Sequence, residues 1–203
     1  MRPQQHVVVM ARRPEWGRVK TRLAADLGDN AALALYRRLL CSTLRCLARD
    51  ERWITVIAAT PPDAARGREP WTRGLPAIAQ VGGGLGERMQ AAFDAMPPGP
   101  VVMVGSDIPD LRSRHVARAF RALKHHDAVF GPALDGGYWL IGVSEKLRQR
   151  PLFSEVCWST ADALNDTLQG LPPWAKVAMV DRLGDIDTSD DLERWRRRAS
   201  SRR

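Results

Sequence analysis

Short apolar runs alternate along the chain with stretches whose apolar residues recur every three or four positions. Residues 6–11 form an apolar run without polar alternation, which is typical of a strand covered on both faces. A stretch that begins near Asp29 or Asn30 has apolar residues at spacings of 3, 4, 4 and 3, which predicts a helix with one buried face. The residues of that face are Leu33, Tyr36, Leu40, Leu44 and Leu47.

The same patterns predict the remaining elements. The predicted strands lie at residues 53–59, 77–81, 101–104, 128–132, 138–143 and 177–180. Two predicted helices lie at residues 85–96 and 112–124. A third follows a cap near Ser159, and a fourth runs from Ser189 onward. The segments at residues 12–27 and 63–74 are predicted to be irregular. This alternation predicts a single Rossmann-like α/β domain, in which a mostly parallel sheet carries helices on both faces.

Composition limits the class of protein further. No apolar run reaches the roughly 18 residues that a membrane-spanning helix needs, and we expect no signal peptide. The three cysteines, Cys41, Cys46 and Cys157, form no CxxC pair. We therefore expect reduced thiols in a cytoplasmic protein.

The formal net charge of +8 comes mostly from the C-terminal end, where residues 194–203 hold six arginines and no acid. We expect a folded domain at residues 1–195 and a basic, disordered tail at residues 196–203. A tail without interleaved aromatic residues offers only nonspecific attraction to phosphates, so nucleic acid is not the predicted partner.

A basic segment follows the first predicted strand. Arg18, Lys20 and Arg22 alternate there after Gly17. Guanidinium forks and an ammonium charge suit a polyphosphate, and glycine allows a close approach of the backbone. The same composition is equally typical of a solvated basic loop.

An aspartate ends the predicted strand at residues 101–104. Asp107 lies in Gly-Ser-Asp-Ile-Pro, directly after that apolar run. A carboxylate at the end of a buried strand needs a partner, and a divalent cation is a natural one. Capping of the following helix explains the aspartate equally well.

A glycine-rich turn separates the predicted strands at residues 128–132 and 138–143. Asp135, Gly136 and Gly137 precede Tyr138 and Trp139. A carboxylate beside two residues without side chains offers a platform for a sugar or small acceptor. Asp-Gly-Gly is also a common hairpin turn.

Carboxylates also precede the last predicted helix. Thr188 or Ser189 can cap that helix. This leaves Asp185 and Asp187 upstream, and one of them could complete a metal site with Asp107.

The order of these four motifs resembles a bacterial family whose members are commonly labelled glycosyltransferases. That family is similar to the nucleotide-diphospho-sugar transferase superfamily, which has the glycosyltransferase-A fold and includes 2-phospholactate guanylyltransferase and the molybdenum-cofactor nucleotidyltransferases. The resemblance runs from about Val7 to Leu192. It implies that Arg18, Lys20 and Arg22 hold nucleotide phosphates and that Asp107 and Asp187 bind Mg²⁺ or Mn²⁺.

Two departures from the superfamily pattern accompany this resemblance. Met-Ala-Arg-Arg-Pro at residues 10–14 replaces the glycine-rich opening of well-studied nucleotidyltransferases, and base recognition is therefore not predicted. Gly105 stands where glycosyltransferases have the first aspartate of an Asp-x-Asp pair.

The leading hypothesis is a nucleotidyltransferase, which joins a nucleoside monophosphate from an NTP to a phosphorylated or acidic acceptor and releases pyrophosphate. Glycosyl transfer from a nucleotide-sugar and nucleotide binding without catalysis are the alternatives. The predicted catalytic residues are Lys20, Asp107 and Asp135, with Asp135 able to orient or deprotonate an acceptor hydroxyl. The predicted substrate-binding residues are Arg18, Lys20, Arg22, Gly136, Gly137 and Tyr138.

Overall fold

The computed structural model describes residues 4–66 and 69–201, and it contains one seven-stranded sheet in the order β3-β2-β1-β4-β6-β5-β7. The strands are β1 (His6–Arg12), β2 (Ile54–Thr60), β3 (Ala77–Ala79), β4 (Val101–Gly105), β5 (Ala128–Pro132), β6 (Tyr138–Val143) and β7 (Val177–Met179). Strand β6 pairs antiparallel with β4 and β5, and the other pairings are parallel. The predicted α/β fold with a mostly parallel sheet is confirmed.

Seven α-helices connect or flank these strands within the described residues. They are α1 (Thr21–Leu27), α2 (Asp29–Ala48), α3 (Leu85–Asp94), α4 (Ser113–Ala122), α5 (Glu145–Arg148), α6 (Ala163–Gln169) and α7 (Ser189–Ser200). Two short 3₁₀ turns, Pro62–Ala65 and Pro70–Thr72, lie in the segment predicted to be irregular, in which residues 67 and 68 lie outside the description.

Both faces of the sheet are buried, which explains the uninterrupted apolar run of β1. Val7 and Val9 pack on the face covered by α2 and α4. Val8 points to the opposite face and packs in the cluster of α3 that contains Phe93. Because successive side chains alternate between faces, a strand covered on both sides has no polar positions.

Three predictions about helices were wrong, and part of the predicted tail is helical. Helix α1 lies inside the predicted loop at residues 12–27, and α5 was missed, because segments of seven and four residues are too short to show a helical period. Helix α6 begins after Asp162 rather than near Ser159, whose φ of 63° is left-handed. Helix α7 continues to Ser200, so residues 196–200 of the predicted tail are helical.

The sheet brings three of the four motifs to one edge. The carboxyl end of β1 pairs with that of β4, with Met10 opposite Gly105. Because β6 runs antiparallel to β4, its first residues and the preceding hairpin turn lie at that same edge, with Leu140 opposite Val104. Ligands of open α/β sheets bind at the carboxyl ends of the strands, so this edge is where a site is expected.

Candidate active site

Lys20 is buried at the centre of this edge. Its side chain is 5% exposed, and its Nζ donates to Asp107 Oδ2 at 2.5 Å and to Asp187 Oδ1 at 3.4 Å. Burial alone would lower the pKa of Lys20, but the adjacent carboxylates, Asp107 first, outweigh it and raise the pKa. The ammonium is therefore a fixed charge rather than a proton donor.

The backbone of Lys20 also has an uncommon conformation. The residue precedes α1 with φ 51° and ψ 44°, a left-handed geometry that costs energy for a residue with a Cβ. Such conformations persist where the surroundings fix them, and they cluster at functional sites. Here the buried ion pair with Asp107 holds the side chain in place.

An open basic cleft of about 430 Å³ lies in front of Lys20. Five cationic and two anionic side chains are among its lining residues, which gives it an excess of positive charge. These side chains are Arg12, Arg18, Lys20, Arg22, Arg88, Asp107 and Asp187. The predicted phosphate-binding residues therefore share one surface, and the structure adds Arg12 and Arg88, which were not among the predicted binding residues.

The three cations of the basic loop differ in exposure. Arg18 and Arg22 have side chains 73% and 68% exposed, whereas Lys20 is enclosed. Arg22 Nη1 contacts Asp187 Oδ2 at 3.1 Å. The two arginines are exposed at the surface of the cleft, with Arg18 also 3.6 Å from Glu15, and Lys20 is held in its floor.

Tyr36 connects the two strand ends that carry this site. Its Oη accepts a hydrogen bond from the Arg12 amide at 3.0 Å, donates to the Arg12 carbonyl at 2.8 Å and lies 3.4 Å from Ser106 Oγ. Burial raises the pKa of Tyr36. The sequence pattern identifies Tyr36 as part of the apolar face of α2, which is correct, but gives no sign of this polar role.

The carboxylates near the C-terminus converge on the same place. Asp187 contacts Lys20 and Arg22, and Thr188 caps α7 by accepting from the Asp191 amide at 3.3 Å, as predicted. Burial and the nearby charges of Asp107 and Asp135 raise the pKa of Asp185 to about 6.

These carboxylates fit a divalent cation. Asp107 and Asp187 converge on one cationic position, now filled by the Lys20 ammonium, and Mg²⁺ typically takes one or two carboxylates plus substrate phosphates. Burial first, and the charges of Asp107 and Asp135 second, raise the pKa of Asp185, and a nearby cation would offset the charge contribution. No group of three or more histidine, cysteine or acidic side chains in the described ranges 4–66 and 69–201 could hold a metal, so the remaining ligands would be phosphates and water.

The Asp-Gly-Gly segment is a hairpin turn that also borders a cavity. The Ala133 amide donates to the Gly137 carbonyl at 2.9 Å, and the Gly137 amide donates to Asp135 Oδ1 at 3.0 Å. Asp135, Gly137 and Tyr138 line the cavity.

Gly136 has a structural role that the sequence did not predict. Its φ is 92°, and a Cβ there would lie 2.2 Å from the Ala161 carbonyl oxygen. The turn therefore packs backbone to backbone against the segment before α6, and Gly136 is absent from the described lining of the cavity.

We call this second cavity the apolar cavity, because most of its lining residues are apolar. It measures about 270 Å³ and adjoins the basic cleft, since Met10, Leu85 and Asp107 line both. Its walls include Tyr138 and Trp158, whose ring centroids are 6.3 Å apart. Sequence reasoning missed Trp158, which lies in a segment without periodicity.

The fold and this edge define the class of the protein. A crystal structure from Desulfovibrio desulfuricans G20, provisionally named a nucleotide-diphospho-sugar transferase, is 34% identical with a TM-score of 0.81, over 93% of this chain and 84% of that one. The chain therefore has the nucleotide-diphospho-sugar transferase fold, as the resemblance implied.

The family follows from the sequence. Residues 43–160 match the family described as "Uncharacterized protein conserved in bacteria (DUF2064)", and the chain belongs to that family.

Two guanylyltransferases are also similar in sequence. A 3-phospho-D-glycerate guanylyltransferase from Phenylobacterium zucineum (strain HLK1) is 32% identical over 147 residues, 66% of this chain and 65% of its own. A 2-phospho-L-lactate guanylyltransferase from Methanopyrus kandleri (strain AV19) is 34% identical over 110 residues, 52% of this chain and 55% of its own. The chain thus matches about two thirds and about half of the lengths of these relatives, and the predicted relationship to nucleotide-dependent transferases is confirmed.

A more distant structure shares the fold alone. The glucosyl-3-phosphoglycerate synthase of Mycobacterium tuberculosis, 14% identical with a TM-score of 0.57 over 90% of this chain and 70% of its own, was solved with Mn²⁺ and UDP.

No helix in the part of the chain that the structure describes is long and apolar enough to cross a membrane.

Proposed function

We propose that this chain is a Mg²⁺- or Mn²⁺-dependent nucleotidyltransferase that uses an NTP and a phosphorylated acceptor. An acceptor phosphate oxygen attacks the α-phosphorus of the NTP and forms a new P–O bond. The bond between the α-phosphorus and the oxygen that bridges it to the β-phosphorus breaks, and pyrophosphate leaves with the electron pair. No proton needs to move when the acceptor oxygen is already ionised.

The buried lysine in the floor of a basic cleft is the observation that carries this proposal. Lys20 keeps its charge because Asp107 and Asp187 contact it, and it lies where the basic cleft meets the apolar cavity. A fixed positive charge at such a junction stabilises negative charge that develops on a transferred or departing phosphate. Arg18 and Arg22, which are exposed, can close on the outer phosphates.

Asp107 and Asp187 are the residues that would hold the cation. When bound there, a divalent cation supplies Lewis-acid neutralisation of the phosphate oxygens. Asp107 and Asp187 would then balance the combined charge of the cation and Lys20. Asp135, on the cavity side, would orient the acceptor.

The names of the two sequence relatives support nucleotidyl transfer over glycosyl transfer. Both are guanylyltransferases, one for 3-phospho-D-glycerate and one for 2-phospho-L-lactate. Guanine nucleotides are therefore the first NTPs to test.

Glycosyl transfer is the second candidate, because of the cavity beside the cleft. Tyr138 and Trp158 offer aromatic faces next to Asp135, a combination that also suits the sugar of a nucleotide-sugar. In that case Asp135 would deprotonate an acceptor hydroxyl.

The deciding experiment incubates the protein with Mg²⁺ and each of the four NTPs plus phosphorylated acceptors, and separately with common nucleotide-sugars. Release of pyrophosphate supports the proposal, and release of a nucleoside diphosphate from a nucleotide-sugar supports glycosyl transfer. Lys20→Met serves as the inactive control. Binding of nucleotides without either product would contradict both functions.

Affinities of variants locate the triphosphate. Arg18→Ala and Arg22→Ala should each weaken NTP binding by about 1.5–3 kcal/mol, or roughly ten- to a hundredfold, and weaken NMP binding less. Arg38→Ala, which removes an exposed arginine from α2, is the matched control. Equal, weak losses for NMP, NDP and NTP that vanish with added salt would remove the basic loop from the site.

A further inference from the structure

The charged side chains that line the apolar cavity are opposite in sign to most of those that line the basic cleft. The side chains that line the cavity include three acids, Asp107, Asp135 and Asp185, and no lysine, arginine or histidine is among its described lining residues. Asp107 lines both the cavity and the cleft. The boundary between the acidic lining and the mostly basic lining therefore lies at this residue.

The polar atoms of the cavity suit hydroxyl groups. Asp135 and Asp185 offer carboxylate oxygens, which accept hydrogen bonds from hydroxyls. Tyr138 and Trp158 add apolar ring faces to the same lining. The Tyr138 Oη lies 3.3 Å from Thr167 Oγ1, and the Trp139 indole donates to the Asp181 carbonyl at 2.9 Å.

An anionic group inside this half-open cavity would face carboxylates. Like charges brought together at a partly desolvated site carry a large electrostatic cost. An acceptor phosphate avoids this cost when it lies at Asp107, next to Lys20 and to the proposed cation. A second anionic group, placed deeper in the cavity, has no such partner.

Resting on the proposed function, we propose that the acceptor is a phosphate monoester of an uncharged, hydroxylated compound, whose body occupies this cavity, and that acceptors with a second anionic group are rejected. The phosphate reacts at the junction marked by Asp107, with the bond changes given above. The volume of about 270 Å³ leaves room for a body larger than a three-carbon acid.

A matched pair of ligands tests the charge directly. Glycerol 3-phosphate and 3-phosphoglycerate share their phosphate and chain length, and they differ in a hydroxymethyl group against a carboxylate. We expect the protein, saturated with Mg²⁺ and an α,β-methylene NTP that cannot react, to bind glycerol 3-phosphate at least about tenfold more tightly in titration calorimetry. A hexose phosphate should bind as tightly as glycerol 3-phosphate or more tightly.

Variants connect this preference to the cavity. Asp135→Asn and Asp185→Asn should each reduce the preference severalfold by improving the binding of 3-phosphoglycerate, and Trp158→Ala should weaken the hexose phosphate. Glu51→Gln removes an exposed carboxylate distant from the cavity lining and should leave the ratio unchanged.

Each outcome of the titration decides the inference. Binding of 3-phosphoglycerate that equals or exceeds that of glycerol 3-phosphate overturns it. So does a failure of both glycerol 3-phosphate and the hexose phosphate to bind. Pyrophosphate release, measured separately with the reactive NTP, tests the proposed function. Turnover of glycerol 3-phosphate and 3-phosphoglycerate at equal efficiency would thus support nucleotidyl transfer and refute the proposed acceptor class.

Discussion

Replacing Asp185 with asparagine should stabilise the protein at neutral pH, because a neutral amide takes the place of a partly buried carboxylate. The carboxyl is partly buried beside Asp107 and Asp135, and burial together with these two charges raises its pKa to about 6. An ionised Asp185 is therefore more favourable in the unfolded chain than in the folded one. Asparagine has nearly the same shape and carries no charge.

The shift sets the size of the effect. Two pKa units correspond to about 3 kcal/mol, since each unit is worth about 1.4 kcal/mol. Water screens a partly buried group, so we expect about 1–2 kcal/mol of stabilisation in the variant. The penalty is absent below about pH 4, where the carboxyl is protonated in both states, and it is complete above about pH 6.

Urea unfolding in EDTA at pH 4.5 and pH 7.5 measures this difference for the wild-type protein, Asp185→Asn and the control Glu51→Gln. The stability gain of Asp185→Asn should be larger at pH 7.5, whereas Glu51→Gln should change little at either pH. Saturating Mg²⁺ at pH 7.5 should narrow the gap if Asp107 and Asp187 bind the ion. A gain that is the same at both pH values, or a loss at pH 7.5, would refute the electrostatic argument.

Three further changes test the fold that supports the site. Arg148→Met should lower the free energy of unfolding in urea by about 2–4 kcal/mol. The buried Nη1 of Arg148 donates to the carbonyls of Phe93, Met96 and Pro97, and these carbonyl oxygens would lose that donor. An unchanged unfolding midpoint would show that water takes the place of the guanidinium. Gly136→Ala should lower the melting temperature by several degrees and Gly137→Ala by less, since a Cβ meets the Ala161 backbone only at Gly136; equal effects would contradict this. Deleting residues 199–203 should hardly move the melting temperature, whereas Leu192→Ala, at the buried anchor of α7, should cost about 2–5 kcal/mol. A large loss on truncation would show that the last turn of α7 is essential.

The sequence by itself determined the local structure wherever one physical signal dominated. The apolar run of β1, the periodic face of α2 and the cap at Thr188 all agree with the structure. Each depends on contacts within a few residues or on burial of a whole face, and both leave a pattern in the chain. The order of the four motifs along the chain likewise indicated the family, because the motifs can be compared without knowledge of the tertiary structure.

Only the tertiary structure decided how the charged residues pair. Lys20 meets Asp107 and Asp187 across separations of 87 and 167 positions. The contact with Asp107 follows from the strand order, which places β1 beside β4 and which no local periodicity records.

The contribution of each residue to the site also depended on burial. From the sequence, Arg18, Lys20 and Arg22 are equivalent cations, yet one of them is enclosed and two are exposed. Gly136 and Gly137 are equivalent turn residues, yet one packs on Ala161 and the other lines the cavity. The energy of a charge or a missing side chain depends on what surrounds it, and those surroundings come from segments distant in the chain.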